Sequence, residues 1–144
     1  MRVLCVGRHR YIAEHLGRFF GQFGLETSWT VGIREAVRAA WRHHPHLVIC
    51  DYELLTTYSL ECWEHDALLS RTPVMAVSLT RRPEDVNPLD INGIGGFIYL
   101  PQLTRERARQ LFSGVCPPAP YSPVAPVAPV GGGRLSLLTY QSAD

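Results

Sequence analysis

Apolar runs alternate with amphipathic segments along residues 1–114, and the runs have the length of β-strands. The run from Leu47 to Cys50 is continuous and rich in β-branched residues, which predicts a strand buried on both faces. The run 25–31 is less apolar, which indicates an edge strand. The remaining strands are predicted at 1–7, 73–79 and 97–100.

The segments between these runs have the periodicity of helices. A first helix is predicted from Tyr11 to Phe23, and a last one from Thr104 to about Phe112. A helix over 60–69 is predicted between the third and fourth strands. Another helix is predicted from Ile33 to His44, ended by the proline that follows, and its buried stripe would hold Ile33, Ala36, Val37, Ala40 and Trp41.

The segment between the fourth and fifth strands, 81–96, predicts a short or irregular fourth helix. Pro83 can open a helix, but Pro88 interrupts it and the glycines near its end weaken it. Strands that alternate with helices predict an α/β fold, a doubly wound five-stranded parallel sheet with helices on both faces.

The composition changes after Gly114, and we expect residues 115–144 to form a tail or linker outside the core. The tail is rich in Pro, Ala and Gly, and PVAPVAPV repeats every three residues, which favours polyproline II conformation before a glycine hinge. The closing RLSLLTYQSAD is either a docking peptide or the beginning of a further domain.

Composition and charge narrow the class of protein. A chain of 144 residues with 46% hydrophobic and 19% charged residues fits one globular domain. The net charge of +1 gives no electrostatic reason to expect nucleic acid or a membrane as a partner. All 14 basic residues are arginine. The four cysteines lack C-x-x-C spacing, and no signal-peptide core or membrane span is visible, so we expect reduced thiols and a cytoplasmic protein.

Asp51 follows the third strand directly, at the sheet edge where α/β folds place ligands and chemistry. We find no Ser/His/Asp or Cys/His arrangement and no phosphate-binding glycine loop, and therefore expect no enzyme activity and no cofactor. His43, His44 and His46 lack a matching cysteine or carboxylate, so we expect no metal site there.

Three motifs give residues 1–114 a resemblance to the receiver domain of bacterial two-component response regulators, a (βα)5 flavodoxin-like fold. PHLVICDYELL resembles the strand that carries the phospho-accepting aspartate, here Asp51. TPVMAVS resembles the fourth strand with its switch hydroxyl, here Ser78. GGFIYLP resembles the fifth strand, which places the aromatic switch position at Phe97 and the proline at Pro101. The resemblance implies a cis peptide bond before that proline.

The chain departs from the receiver pattern at the residues that perform phosphoryl chemistry. Gly7 and Arg8 stand where receivers have two acidic magnesium ligands, and Leu100 stands where they have a lysine. Leu79 follows the switch hydroxyl, where receivers have a small residue. Mg²⁺ prefers carboxylate oxygens in octahedral geometry. The sequence therefore predicts a pseudo-receiver without a metal site.

We expect Arg8, or with less support Arg10, to pair with Asp51 and fill the space of metal and phosphoryl group. Glu53 would share the cation. In the alternative, Asp51 faces water at a loop edge and has no role.

Three functions remain open from the sequence. The first is a non-catalytic signalling module that binds a protein partner or a second copy through the face formed by the fourth helix, fifth strand and fifth helix, with Phe97 and Tyr99 shaping it. The second is a true phospho-acceptor that uses Asp51. The third is a receiver-like fold whose pocket binds a small molecule.

Overall fold

A computed structural model describes residues 1–87 and 94–115 of the chain. Its centre is a five-stranded sheet in which every neighbouring pair is parallel, in the order β2-β1-β3-β4-β5. The less apolar strand lies at an edge of the sheet, as predicted. The strands are β1 (Arg2–Gly7), β2 (Glu26–Val31), β3 (Leu47–Asp51), β4 (Val74–Ser78) and β5 (Gly96–Tyr99).

Helices and short 3-10 turns connect the strands. The α-helices are α1 (Arg10–Gly21), α2 (Ile33–His43), α3 (Tyr52–Thr57), α4 (Glu61–Glu64) and α5 (Arg105–Val115). In the part of the chain that the structure describes, 3-10 turns lie at Leu69–Arg71, Pro83–Asp85 and Leu100–Gln102.

The core lies on both faces of the sheet, which confirms the predicted doubly wound α/β fold. On one face, Val6 and Cys50 pack with side chains of α2 and α3. On the other face, Cys5 and Ile49 pack with side chains of α1 and α5. Successive residues of a strand point to opposite faces, so neighbours in β1 and β3 serve the two different clusters. β3 is buried along its whole length, as its apolar run predicted.

The predicted helix over 60–69 is too long, because only Glu61–Glu64 of that range is α-helical. The chain instead begins α3 directly after β3, where the Asp51 carboxylate caps the helix by accepting a hydrogen bond from Glu53 N–H. A single turn, α4, follows. Asp66 then accepts hydrogen bonds from the N–H groups of Leu68 and Leu69, a local side-chain contact that competes with a continued helix.

Trp41 does not belong to the buried stripe of α2, although the periodicity placed it there. Its side chain is 48% exposed, and its indole N–H donates to Asp66 Oδ1 at 2.9 Å. Ala39 is buried instead. A hydrogen bond to a carboxylate holds the amphipathic indole at the rim of the core.

In the described part of the predicted fourth-helix segment, 81–87 and 94–96, a 3-10 turn lies at Pro83–Asp85. The predicted interruption at Pro88 lies outside the described residues. α5 extends to Val115, so the first residue of the predicted tail 115–144 is helical, and residues 116–144 lie outside the described residues. No helix in the described ranges has both the length and the hydropathy to cross a bilayer.

Candidate functional site

The end of β1 is packed too closely against α1 to hold a side chain at position 7. A Cβ atom added to Gly7 would lie 2.5 Å from the backbone nitrogen of Ala13 and 2.9 Å from its Cα. The Gly7 carbonyl also accepts a hydrogen bond from Gly32 N–H at 3.0 Å, which ties this strand end to the beginning of α2. A carboxylate at position 7 would therefore require α1 to move.

Asp51 is buried at the end of β3, with 5% of its surface exposed. Its Oδ1 accepts a hydrogen bond from Glu53 N–H at 3.2 Å. Its Oδ2 lies 3.4 Å from Arg8 Nε, an ion-pair distance, but the contact does not have hydrogen-bond geometry. The structure thus places Arg8 beside Asp51, and it contradicts the alternative in which Asp51 faces water. Arg10 pairs with Glu14 instead.

Burial dominates the protonation equilibrium of Asp51. Burial raises the pKa of this carboxyl above its ordinary value, and the hydrogen bond from Glu53 N–H and the charge of Arg8 oppose the rise only in part. Folding therefore makes ionisation of Asp51 less favourable than it is in the unfolded chain, despite the arginine neighbour.

Glu53 does not share Arg8 with Asp51, contrary to the sequence-based expectation. Its Oε2 accepts a hydrogen bond from Arg81 Nε at 2.9 Å, across the gap between α3 and the loop after β4. The Arg81 guanidinium also lies 5.7 Å from the centre of the Tyr52 ring. Two attractions, an ion pair and a cation–π contact, hold Arg81 in this position.

The contacts continue from Tyr52 to β5. The edge of one ring meets the face of the other between Tyr52 and Phe97, whose centroids are 5.7 Å apart. Sequence reasoning missed the role of Arg81. The signal that could have found it is the parallel register, which pairs Asp51 with Val77 and brings the residues that follow the two strands to the same edge.

Ser78 uses its hydroxyl to shape the loop after β4. Its Oγ accepts hydrogen bonds from Arg81 N–H at 2.9 Å and from Thr80 N–H at 3.2 Å, and the side chain is buried. Leu79 turns outward and is one of the exposed large hydrophobic residues. The hydroxyl at the predicted switch position is therefore already engaged by backbone N–H groups.

Leu100 is buried in the cluster shared with Val77 and Ile98, so the lysine position contributes hydrophobic packing and no charge. Pro101 is exposed in the 3-10 turn that follows. The peptide bond before Pro101 is trans, which contradicts the cis bond implied by the resemblance. Residues Leu100–Gln102 form a 3-10 turn, closed by a hydrogen bond from Leu103 N–H to the Leu100 carbonyl at 3.1 Å. Such a turn consists of trans peptides.

The predicted interface residues lie on β5. Phe97 and Tyr99 are half-buried, and the Arg82 guanidinium lies 5.7 Å from the centre of the Tyr99 ring. Both aromatic residues line a groove where β5 meets α5. We call the surface formed by Phe97, Tyr99, Leu103, Arg107 and Leu111 the β5–α5 face.

The residues at the sheet edge do not fit a magnesium ion held as in receivers. Position 7 has no room for a carboxylate, and position 8 supplies a guanidinium. Within residues 1–87 and 94–115, no three His, Cys, Asp or Glu side chains are grouped as metal ligands. His46 accepts a hydrogen bond from Arg2 N–H at 2.9 Å, so this histidine serves the β1–β3 junction.

A second groove, of about 610 Å³, opens beside Arg8 between the beginning of α2 and the α3–α4 segment. Its walls combine apolar side chains with charged and polar ones. They include Arg8, Ile33, Arg34, Leu54, Tyr58 and Cys62.

No protein-family model and no curated protein matches the sequence. Solved structures do match. A response regulator from Desulfuromonas acetoxidans is 22% identical, with a TM-score of 0.60 over 78% of this chain and 93% of that one. A CheY-like receiver domain from Methylobacillus flagellatus is 15% identical, with a TM-score of 0.61 over 81% of this chain and 98% of that one.

The fold is that of a response-regulator receiver domain. The receiver domain of a sensor histidine kinase from Pseudomonas aeruginosa has the same fold. It is 15% identical, with a TM-score of 0.57 over 79% of this chain and 95% of that one. A magnesium ion is coordinated in the active-site cleft of that receiver domain. In the present chain the receiver fold carries Arg8 and Gly7 at the end of β1.

Proposed function

We propose that this chain is a receiver-fold signalling module that acts through protein contacts, without conventional magnesium-dependent phosphorylation of an aspartate. One observation carries the proposal. Arg8 Nε lies 3.4 Å from the buried Asp51 Oδ2, so a protein cation stands beside the carboxylate at a position where the receiver resemblance implies an acidic metal ligand. The module is cytoplasmic and is not an enzyme under this proposal.

The missing charges oppose phosphoryl transfer. This reaction depends on positioning and on neutralising the charge that develops on the phosphoryl oxygens, and a metal ion is the main neutraliser. Leu100 offers no replacement for a lysine, whose charge-assisted hydrogen bond is worth roughly 1.5–3 kcal/mol. At about 1.4 kcal/mol per tenfold change in rate, the lysine alone accounts for one to two decades, and the absent metal adds to the loss.

The switch elements contact one another through side chains and backbone groups of the chain itself. Ser78 Oγ accepts from the N–H groups of the following loop, and Arg81 of that loop pairs with Glu53. These contacts favour one arrangement of the loop, whatever the supply of phosphodonor. The output of such a module is its binding surface, and we assign that role to the β5–α5 face, which would bind a protein partner or a second copy.

The test is the mass of the intact protein after incubation with Mg²⁺ and acetyl phosphate. We expect no phosphoryl adduct on the natural chain, and the same spectrum for the Asp51→Asn control. An adduct that appears on the natural chain and is absent from the control would overturn the proposal. Asp51 would then be a working acceptor.

The groove beside Arg8 favours a second candidate, a receiver-fold module that binds a small anion. Arg8 and Arg34 line a cavity of about 610 Å³ that also has apolar walls. Thermal unfolding in the presence of a panel of small carboxylates and phosphates tests it. A compound that raises the Tm of the natural chain, but not that of Arg34→Ala, would support this function, and a panel without such a compound would oppose it.

A further inference from the structure

The groove on the β5–α5 face has a volume of about 370 Å³ and an aromatic wall. Phe97 and Tyr99 supply the rings, and Leu103 and Leu111 supply aliphatic side chains. Arg107 contributes an exposed guanidinium that forms no salt bridge within residues 1–87 and 94–115. The groove therefore combines flat apolar surface with a hydrogen-bond donor.

The chain that follows α5 has the composition that such a groove binds. Pro123, Pro126 and Pro129 are spaced by three residues, and the stretch from 116 to 133 contains no charged residue. A polyproline II helix has three residues per turn, so these prolines would line one side of it. Its carbonyl groups have no internal hydrogen bonds and remain free to accept from a ligand-binding surface.

We propose that residues 123–130 dock into this groove of the same molecule in polyproline II conformation. Proline-rich segments bind aromatic-lined grooves because the conformation is preformed and little entropy is lost on binding. In the proposed complex the prolines contact Phe97 and Tyr99, and the Arg107 guanidinium donates to a tail carbonyl. This inference rests on the proposed function, since it names what covers the surface assigned to partners.

The dimensions permit docking within one molecule. From Thr104 to Leu111 the groove follows α5 for about 10 Å at 1.5 Å per residue. One proline repeat, from Pro123 to Pro126, spans about 9 Å at 3.1 Å per residue. The eight residues from Val115 to Pro123 reach up to about 26 Å, whereas Leu111 lies only about 6 Å back along the helix.

Docking within one molecule would make residues 123–130 compete with a protein partner for the β5–α5 face. A segment joined to its site by a short linker has an effective concentration in the millimolar range, so a weak contact is enough to keep the groove occupied. A protein partner would have to displace residues 123–130 before it could bind.

The experiment is paramagnetic broadening of NMR signals in the full chain. A nitroxide is attached to Ser122→Cys in a background of Cys62→Ser and Cys116→Ser, since Cys5 and Cys50 are buried. We expect the amide signals of Leu111 and Tyr99 to broaden, with Ala36 on the opposite face of the sheet unaffected. Equal signals before and after reduction of the nitroxide would overturn the proposal.

Two arginines of α5 provide matched variants. Arg107 lines the groove, whereas Arg109 is also exposed and lines a different pocket. We expect Arg107→Ala to reduce the broadening at Leu111 and Arg109→Ala to leave it unchanged. Equal effects of the two substitutions would contradict docking at this groove.

A mixed sample separates docking within one chain from docking between two. Spin-labelled chain without isotope is added to isotope-labelled chain without nitroxide, and we expect no broadening. Broadening in this sample would overturn docking in cis in favour of a second copy. None of these readouts depends on Asp51, so failure of the docking proposal and a phosphoryl adduct on Asp51 are separate results.

Discussion

Arg8 lies 3.4 Å from the buried carboxylate of Asp51, yet the pKa of that carboxyl is still raised. Desolvation is the larger effect, and a half-exposed guanidinium does not offset it. The pair therefore fixes the geometry of the sheet edge at some expense of stability at neutral pH.

Asp51→Asn should stabilise the protein at neutral pH. A carboxyl whose folded-state pKa lies above its unfolded-state pKa gives folding stability that is present at low pH and lost as pH rises through that interval. Asparagine has no such loss and can still accept from Glu53 N–H. Urea unfolding should show a gain in the free energy of unfolding near pH 7 that shrinks toward pH 4.

Asp66→Asn is the control with the opposite sign. Burial is the largest single influence and raises the pKa of Asp66, but the hydrogen bonds from the Trp41 indole and from the Leu69 and Leu68 N–H groups together lower it overall. This substitution should lower the free energy of unfolding at neutral pH. If both variants shifted stability in the same direction, the account of Asp51 would be wrong.

Arg8→Ala should raise the pKa of Asp51 further, because it removes an attractive charge from the carboxylate. The free energy of unfolding should fall by about 1 kcal/mol. This is the lower end of the range for leaving a buried polar group without its partner, because water can reach the space that the arginine leaves. The readout is the pH dependence of the Asp51 carboxyl carbon signal in NMR.

Arg10→Ala is the matched control for Arg8→Ala, because Arg10 pairs with Glu14 on the exposed side of α1. The Asp51 titration should be unchanged in this variant. An Asp51 titration that Arg8→Ala left unmoved would contradict the contact.

Gly7→Ala should destabilise the protein strongly. The added Cβ would meet the backbone of Ala13 at 2.5 Å, and backbone cannot rotate away as a side chain can. Overpacking of this kind costs about 1–3 kcal/mol or more. Gly114→Ala in α5 has open space around its Cβ and should be neutral or stabilising by about 0.5 kcal/mol. Thermal unfolding of both variants measures the difference.

Arg81→Ala should change the surroundings of Phe97 without touching it. The substitution removes the ion pair with Glu53 and the cation on Tyr52, whose ring packs on Phe97. The aromatic proton signals of Phe97 should shift, and those of Tyr99 should shift less. Arg82→Ala should give the reverse, because Arg82 lies over Tyr99. Identical shift patterns would argue against a connection from α3 to β5.

The sequence predicted the features that depend on local hydrophobic pattern. The buried run at β3 and the weaker run at β2 gave the central and edge strands, and the alternation with helices gave a parallel sheet covered on both faces. The position of Arg8 beside Asp51 was predictable because both residues end neighbouring parallel strands.

The features that failed depend on contacts between distant segments or on local hydrogen bonds. The helix after β3 begins earlier than its apolar spacing indicated because Asp51 caps it. Glu53 pairs with Arg81 and not with Arg8, because the loop after β4 passes close to α3. The sequence pattern of neither segment shows that the two lie close together. Trp41 lies outside the predicted buried stripe because its indole N–H donates to the carboxylate of Asp66, 25 positions along the chain.

The close approach of α1 to Gly7 also limits which substitutions the sheet edge accepts. Position 8 is half-exposed, whereas an acid at position 7 would meet the backbone of Ala13. A carboxylate at position 7 would fit only after α1 had shifted, and the same substitution without that shift would give a less stable protein. The packing around one glycine thus restricts which metal-binding side chains this edge of the sheet can carry.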